Sequence, residues 1–337
     1  MELYAGIDLH SNNSVVVVLD ECDREVYRRR LSNELDRIVG ALRGCGAIKA
    51  VAVESTFNWY WLVDGLQDAG YEVRLVNTAA VKQYDGLKHG GDFSDAHHLA
   101  HLMRLGILPT GYIYPREGRA LRDLLRRRSQ LVRCRSTQIL SLQNQYARNL
   151  GAAVSGNTIK RWQQADIEAL ALLPEQHLAM HSNMAVMRCV DEQIERLERA
   201  ILEQARLQPQ FHVLLSVSGI GKVLALTISL ETGDIARFDG PGHYASYART
   251  VASRRESNGR KKGEGNAKCG NKYLAWAFVE AAHFAVRYDP RVKRWYQKKA
   301  ARTMPVVAIK AVAHKLARAC YQILKTGEPF DVARSFG

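Results

Sequence analysis

Between Leu3 and Ser32 three strand-length segments follow one another with only short polar turns between them, which leaves an antiparallel meander as the natural reading. The segments are "LYAGIDL" (Leu3–Leu9), "SVVVVL" (Ser14–Leu19) and "EVYRRRLS" (Glu25–Ser32). Runs of this length, rich in β-branched residues and bounded by polar turn residues, are strand signals. The pattern then changes. Asn33–Leu42 reads as a helix, Ile48–Val53 as a buried strand, Trp59–Ala69 as a helix, Glu72–Asn77 as a strand and Ser94–Leu105 as a helix. Alternation of this kind calls for a layered α/β core.

A meander followed by helix–strand–helix–strand–helix is the order of a ribonuclease-H-like domain. By analogy with that fold, strands one and four are neighbours and the last helix packs across their ends. We assign this domain to residues 1–115. From Arg119 the pattern turns helical: Arg119–Leu150 has no proline and is rich in Leu, Arg and Gln, all good helix formers. A second long helix is expected over Leu178–Leu207, where Val190, Ile194, Leu197 and Ile201 repeat at four-three-four spacing. That stripe suits an antiparallel hairpin, a coiled coil between subunits, or a plain helical core. Residues 116–208 form the expected helical middle region, and residues 209–337 a mainly α C-terminal domain. Within the last, "SVSGIGKVLAL" sets Gly219, Gly221 and Lys222 between two helix-like segments. This resembles a helix-hairpin-helix, whose glycines let backbone N–H groups approach a phosphate; a tight helix–helix turn is the plainer alternative.

Charge narrows the class of partner. Of the 337 residues 48 are Lys or Arg against 34 Asp or Glu, a formal net charge of +14. The excess is concentrated in "REGRALRDLLRRRSQLVRCR", which holds Arg126, Arg127 and Arg128, and in "RTVASRRESNGRKKGEGNAKCGNK", which holds Arg254, Arg255, Arg260, Lys261 and Lys262. Dense local clusters are the electrostatic footprint of a phosphate-backbone binder. No apolar run is long enough to cross a bilayer, and the first residues lack a signal-peptide pattern. Six scattered cysteines suggest neither a disulfide framework nor a zinc knuckle. A cytoplasmic, nucleoid-associated protein is the expectation.

Four acids stand out against this basic background. Asp8 closes the apolar run of strand one, and Glu54 closes "IKAVAVE" on strand four. A carboxylate at such a place needs a compensating partner. "GGDFSDAHHLAHL" offers Asp92 and Asp95 at the start of a helix, three apart and so on one face; each also suits a helix N-cap. Four convergent carboxylates repel one another unless a cation sits among them. Mg²⁺, with Mn²⁺ as an alternative, is the expected occupant, because hard divalent cations take oxygen ligands. His89, His97, His98 and His101 cluster nearby and make zinc conceivable, although the acids suit Mg²⁺ better. Trp59, Tyr60 and Trp61 are candidates for base stacking, with packing against the sheet the simpler role. "RWYQKKAARTMP" (Arg294–Pro305) joins basic and aromatic residues and is a further candidate contact for RNA or DNA.

With these residues in place, the sequence resembles the DEDD transposases of the insertion-sequence one-ten type, the bridge-RNA-guided recombinases to which the pilin-inversion recombinase is related. The matching pieces are "GIDLH", "VAVEST", "DFSDAHHLA", "SVSGIGKVLALTISLETGDIARF" and "YARTVASRRESNGRKKGEGNAKCGNKYL", in order along nearly the whole chain. The resemblance implies a RuvC-like N-terminal domain, a coiled-coil middle and a C-terminal transposase domain bearing a nucleophilic serine. By position that serine falls on Ser257 in "RRESNG", with Ser253 as the reserve; Asn258 intervenes before Gly259, where the family shows serine followed by glycine. The resemblance also implies Asp8, Glu54, Asp92 and Asp95 as metal ligands and catalytic residues, and a covalent phosphoserine link to DNA. A structured bridge RNA choosing donor and target DNA, and a dimer or tetramer in which one subunit's carboxylates meet another's serine, are implied as well.

Three other functions fit parts of the sequence. A RuvC-like structure-specific endonuclease would need the four acids and no serine. "GIDLHSNNS" also resembles the first phosphate loop of sugar kinases and actin-like ATPases, which require a second Gly-rich phosphate loop that is not found before the helical region. A non-catalytic RNA-binding protein would use the basic segments alone.

Overall fold

Strand β1 (Leu3–Leu9) is buried along its whole length, as the centre of a sheet covered on both faces must be. The computed structural model describes residues 2–81, 91–205, 208–252, 255–263 and 269–337. It separates into two compact units, 1–113 and 114–337. In the first, β1, β2 (Asn13–Leu19) and β3 (Glu25–Ser32) form the expected meander, and β4 (Ile48–Glu54) and β5 (Val73–Val76) extend it on the other side. The sheet order is β3-β2-β1-β4-β5. β2 runs antiparallel to both β1 and β3, whereas β1–β4 and β4–β5 are parallel. This mixed sheet with helices on both faces is consistent with a ribonuclease-H-like α/β domain.

Strand alternation sorts the core. Leu3, Ala5, Ile7 and Leu9 point to one face, where they meet Ile38 and Leu42 of α1 (Leu35–Cys45) and Leu62 and Leu66 of α2 (Tyr60–Asp68). Each of the leucines and isoleucines among them contributes roughly 1.5–3 kcal/mol on burial. Tyr4, Ala50, Ala52 and Val76 point to the other face and meet Leu99 and Met103, while Val15, Val17 and Leu19 meet Ala96 and Ala100. All four helical partners lie on α4 (Asp92–Arg104), which starts two residues earlier than the sequence suggested and so takes both Asp92 and Asp95 into its first turn. A short helix, α3 (Thr78–Val81), follows β5.

Gly6 decides how closely α4 can lie. A Cβ at Gly6 would stand 2.0 Å from the Ala96 carbonyl oxygen and 2.8 Å from the Ala100 nitrogen. The helix backbone therefore rests directly on β1, and its first turn lies toward the end of the strand, where Asp8 sits two residues further on.

The second unit opens with α5 (Arg116–Leu150), followed by the short helices α6 (Gly156–Ile159) and α7 (Gln164–Glu168) and the long α8 (Pro174–Ala205). α5 and α8 pair within the chain. Arg128 meets Glu198, Arg135 meets Asp191, and Gln145 meets Asn183, so one helix descends as the other rises. Ile139, Leu142, Met180, Met184 and Met187 form a core at one end with Ile159, Trp162 and Ile167. At the other end Leu125, Leu197 and Ile201 join the core of the following helices, so the middle segment shares its packing with the C-terminal one. Those helices are α9 (Pro209–Leu214), α10 (Lys222–Thr232), α11 (Pro241–Tyr247), α12 (Lys272–Tyr288), α13 (Pro290–Ala300), α14 (Pro305–Thr326) and α15 (Val332–Phe336). Between α11 and α12 lies a hairpin of β6 (Arg255–Ser257) and β7 (Arg260–Gly263). No described helix is long and apolar enough to cross a membrane.

Candidate metal centre and the serine hairpin

Asp8 and Glu54 both point to the α4 side of the sheet, Asp8 in the row of Tyr4 and Gly6, Glu54 in the row of Ala50 and Ala52. Ile7 pairs with Val53 in parallel register, which sets the next residues, Asp8 and Glu54, side by side. Their side chains hydrogen-bond to each other, and Asp8 is only 5% exposed. Burial, then that hydrogen bond, then repulsion from Asp8 and Asp95 push Glu54 up to about 8. Asp92 carries the opposite shift: the Arg30 guanidinium, whose Nη2 donates to Asp92 Oδ2 at 2.5 Å, holds its carboxyl below the usual range. His10 Nε2 lies 3.2 Å from Asp8 Oδ2 and 3.4 Å from Asp92 Oδ2.

Of the four acids expected from the sequence, Asp8 lies against Glu54 and shares His10 with Asp92, while Asp95 is near enough to Glu54 to disfavour its charge. His10 and Arg30 join them and were not singled out beforehand. Neither lies on a periodic pattern, and only the loop after β1 and the pairing of β3 carry them there. Asp8, His10 and Asp92 offer ligand atoms all within 4.8 Å of one another, the one such group among the described residues. Crowded, partly protonated carboxylates beside an imidazole suit a divalent cation. The zinc alternative gains nothing from His97 or His101. His101 Nδ1 sits 2.6 Å from Asp23 Oδ2, and His97 Nε2 is 4.0 Å from Glu25 Oε1, both facing the turns and strands beyond the acids. His89 lies outside the described residues.

Ser257 ends β6 and pairs with Arg260, the first residue of β7. Asn258 and Gly259 between them have φ of 51° and 69°. Positive φ at both central positions is what a type I′ hairpin turn requires, and Asn-Gly is its preferred sequence. The basic stretch is therefore a hairpin at this point, with Ser257 exposed beside the turn and Arg260 and Lys262 exposed on the partner strand. Arg255 and Lys261 are placed by their backbone positions in β6 and β7; Ser253 and Arg254 lie outside the described residues. At the base of the hairpin, Arg249 Nε donates to the carbonyls of Cys269 and Gly270, at 3.1 and 3.0 Å, and Asn271 N donates to Tyr247 O at 2.6 Å.

The other expected nucleic-acid contacts divide. Arg126 binds Glu231 through two hydrogen bonds, of 2.6 and 2.7 Å, and that carboxylate is 2% exposed. Arg128 binds Glu198. Both guanidinium groups are thus drawn onto carboxylates of the chain itself, whereas Arg127 bonds to Gln130 on the surface. Gly219, at φ 90°, lies against α12: a Cβ there would stand 2.5 Å from both Ala281 O and Ala285 N. Its missing side chain serves helix packing. Gly221 and Lys222, at the start of α10, are exposed. Trp59 is buried in the first core with Tyr60 and Trp61 packed against it, the simpler of the two roles considered. On α13, Trp295 and Tyr296 pack on the second unit's core while Arg294, Lys298 and Lys299 face solvent.

Comparison with known proteins adds an independent line. Residues 5–147 match a DEDD transposase model of the IS110 type, described as Transposase, and residues 211–297 match the Transposase IS116/IS110/IS902 family. The y4qE protein of Sinorhizobium fredii is 25% identical over 233 residues, and the chain spans 57% of that relative's length and matches with 69% of its own. The transposase for insertion sequence element IS1328 of Yersinia enterocolitica is 22% identical over 97% of this chain and 98% of that protein. The transposase for IS1111A of Coxiella burnetii is 21% identical over 84% and 78%.

Proposed function

Because the chain belongs to the IS110 family of DEDD transposases, we propose that it cuts and rejoins DNA to mobilise an insertion element, through a carboxylate-held divalent metal and the nucleophile Ser257. The observation that carries the reading is the meeting of Asp8 and Glu54 on adjacent strands under the first turn of α4. Asp8, Glu54, Asp92 and Asp95 hold Mg²⁺ or Mn²⁺, which supplies positive charge for the oxygens of a reacting phosphate. Ser257 Oγ forms a bond to phosphorus as a deoxyribose oxygen leaves with the proton. The number of phosphoester bonds is unchanged, so the reverse attack rejoins strands without ATP. Arg260 and its basic neighbours hold the phosphate and its developing charge.

The finer parts of the reading belong to the same proposal. The α9–α10 turn acts as a helix-hairpin-helix, offering Gly221, Lys222 and the start of α10 to a backbone phosphate. The α5–α8 hairpin contributes to a dimer or tetramer, and a structured bridge RNA pairs with donor and target DNA.

The test is a covalent adduct. Purified protein with Mg²⁺, RNA transcribed from the element's flanks and DNA carrying the element's ends, denatured and resolved on a gel, is expected to show DNA linked to protein. Ser257→Ala abolishes the adduct; Ser253→Ala leaves it. Full cleavage by Ser257→Ala with no adduct in the parent protein would replace this reading with that of a water-using, RuvC-like endonuclease.

A further inference from the structure

His10 is placed with unusual care for a loop residue. Its carbonyl accepts two side-chain amides, from Asn33 Nδ2 at 3.0 Å and Asn58 Nδ2 at 2.9 Å, which fill both lone pairs. Its own N–H donates to Asn13 O at 2.9 Å. Asn33 and Asn58 come from opposite sides of the loop, one before α1 and one after β4, and Ser14 Oγ donates to Asn33 Oδ1 to fix that amide in turn. The result is an imidazole whose Nε2 is shielded from solvent, has no directed hydrogen bond and faces both Asp8 and Asp92. This ring nitrogen and the two carboxylate oxygens lie within 4.8 Å of one another, a spacing at which one cation can be shared by all three.

We propose that His10 Nε2 is a direct ligand of the metal held by Asp8 and Asp92, which makes the centre a mixed nitrogen–oxygen site with a preference for Mn²⁺ over Mg²⁺. The proposal rests on the metal-dependent reading above and deepens it. An imidazole donor favours first-row transition ions, while Mg²⁺ keeps to oxygen ligands and water. An all-carboxylate cage would make no such distinction through this residue. A simple ion pair between His10 and the two acids would leave metal selectivity untouched when His10 is replaced.

Mn²⁺ is both probe and ligand. Full-length protein is titrated with Mn²⁺ and followed by electron paramagnetic resonance, with pulsed detection of nitrogen coupling. The expected result is one bound ion with a directly coordinated ¹⁴N signal that moves to ¹⁵N frequencies in uniformly ¹⁵N-labelled protein. In His10→Gln, whose circular dichroism should match the parent, the signal disappears, Mn²⁺ binds about tenfold or more weakly, and the Mn²⁺/Mg²⁺ preference narrows by the same factor. Bound Mn²⁺ without nitrogen coupling in the parent protein overturns the role of His10 and leaves the carboxylate site standing. If no Mn²⁺ binds at micromolar protein, and Asp8→Asn behaves as the parent, the metal-dependent reading falls and this proposal with it.

Discussion

The carboxyl groups of Asp8 and Glu54 hydrogen-bond across two adjacent parallel strands, and burial of that contact lifts Glu54 to about 8. Folded Glu54 therefore holds its proton more tightly than a glutamate with the ordinary value of 4.5 in the unfolded chain. Its contribution to the metal-free fold is complete below that ordinary value and is lost as pH rises through the folded one. In chelator, the melting temperature should fall between pH 5 and pH 9, as about one proton is lost. Glu54→Gln should flatten the fall, and Mg²⁺ should reverse it in the parent protein alone, since the cation takes the proton's place. A pH profile of thermal melting for the two proteins, with and without Mg²⁺, checks this.

Gly6 sets the distance between β1 and α4. Gly6→Ala places a methyl group against the α4 backbone, where no side chain can yield, and overpacking of that kind costs about 1–3 kcal/mol. Because α4 also carries Asp92 and Asp95, the variant should lose metal affinity out of proportion to its stability. Chemical denaturation and Mn²⁺ titration of the same preparation separate the two effects.

Much of this was legible in the sequence, and the limits have physical causes. The meander followed from strand-length runs separated by short turns, and a period of two puts Asp8 and Glu54 each on a definite face of its strand, whereas the β1–β4 neighbourhood came only by analogy with the ribonuclease-H-like fold. Arg126 and Arg128 looked like free cations because their carboxylates, Glu231 and Glu198, lie 105 and 70 positions away. No local pattern announces such pairs. The β6–β7 hairpin was hidden by its charge: Lys and Arg are poor strand signals, and Asn258–Gly259, the strongest hairpin signal available, stood among them unread. Arg30 reaches Asp92 across 62 positions, so spacing alone could not find it, whereas His10 stands two residues after Asp8 and its signal was local.

Arg126 and Arg127 are adjacent in sequence and should behave oppositely. Arg126→Ala leaves the buried Glu231 carboxylate with Asn271 Nδ2, 2.7 Å away, in place of its cation. Removing one partner of a buried pair costs about 3–5 kcal/mol. Arg127→Ala should leave stability unchanged and lower DNA affinity, with the slope of log affinity against log salt falling by about 0.9 for one lost phosphate contact. Thermal melting and filter binding over a salt series distinguish them.

The neck of the serine hairpin makes a further prediction. Arg249→Ala removes the guanidinium that ties Cys269 and Gly270 to the start of the excursion. Covalent adduct formation should slow at least tenfold while DNA affinity stays within about twofold, with partial recovery in Arg249→Lys. Single-turnover kinetics of adduct formation beside equilibrium binding reads the difference.

Crystals grown with Mn²⁺, with anomalous diffraction recorded at the manganese edge, would locate the ion among the four acids. A peak is expected in the first unit at about 2.2 Å from carboxylate oxygens of Asp8 and Glu54, with an oxygen of Asp92 or Asp95 completing the cage. A well-ordered site with no such peak at saturating Mn²⁺, or a peak bound by none of these four acids, would contradict the carboxylate-held metal.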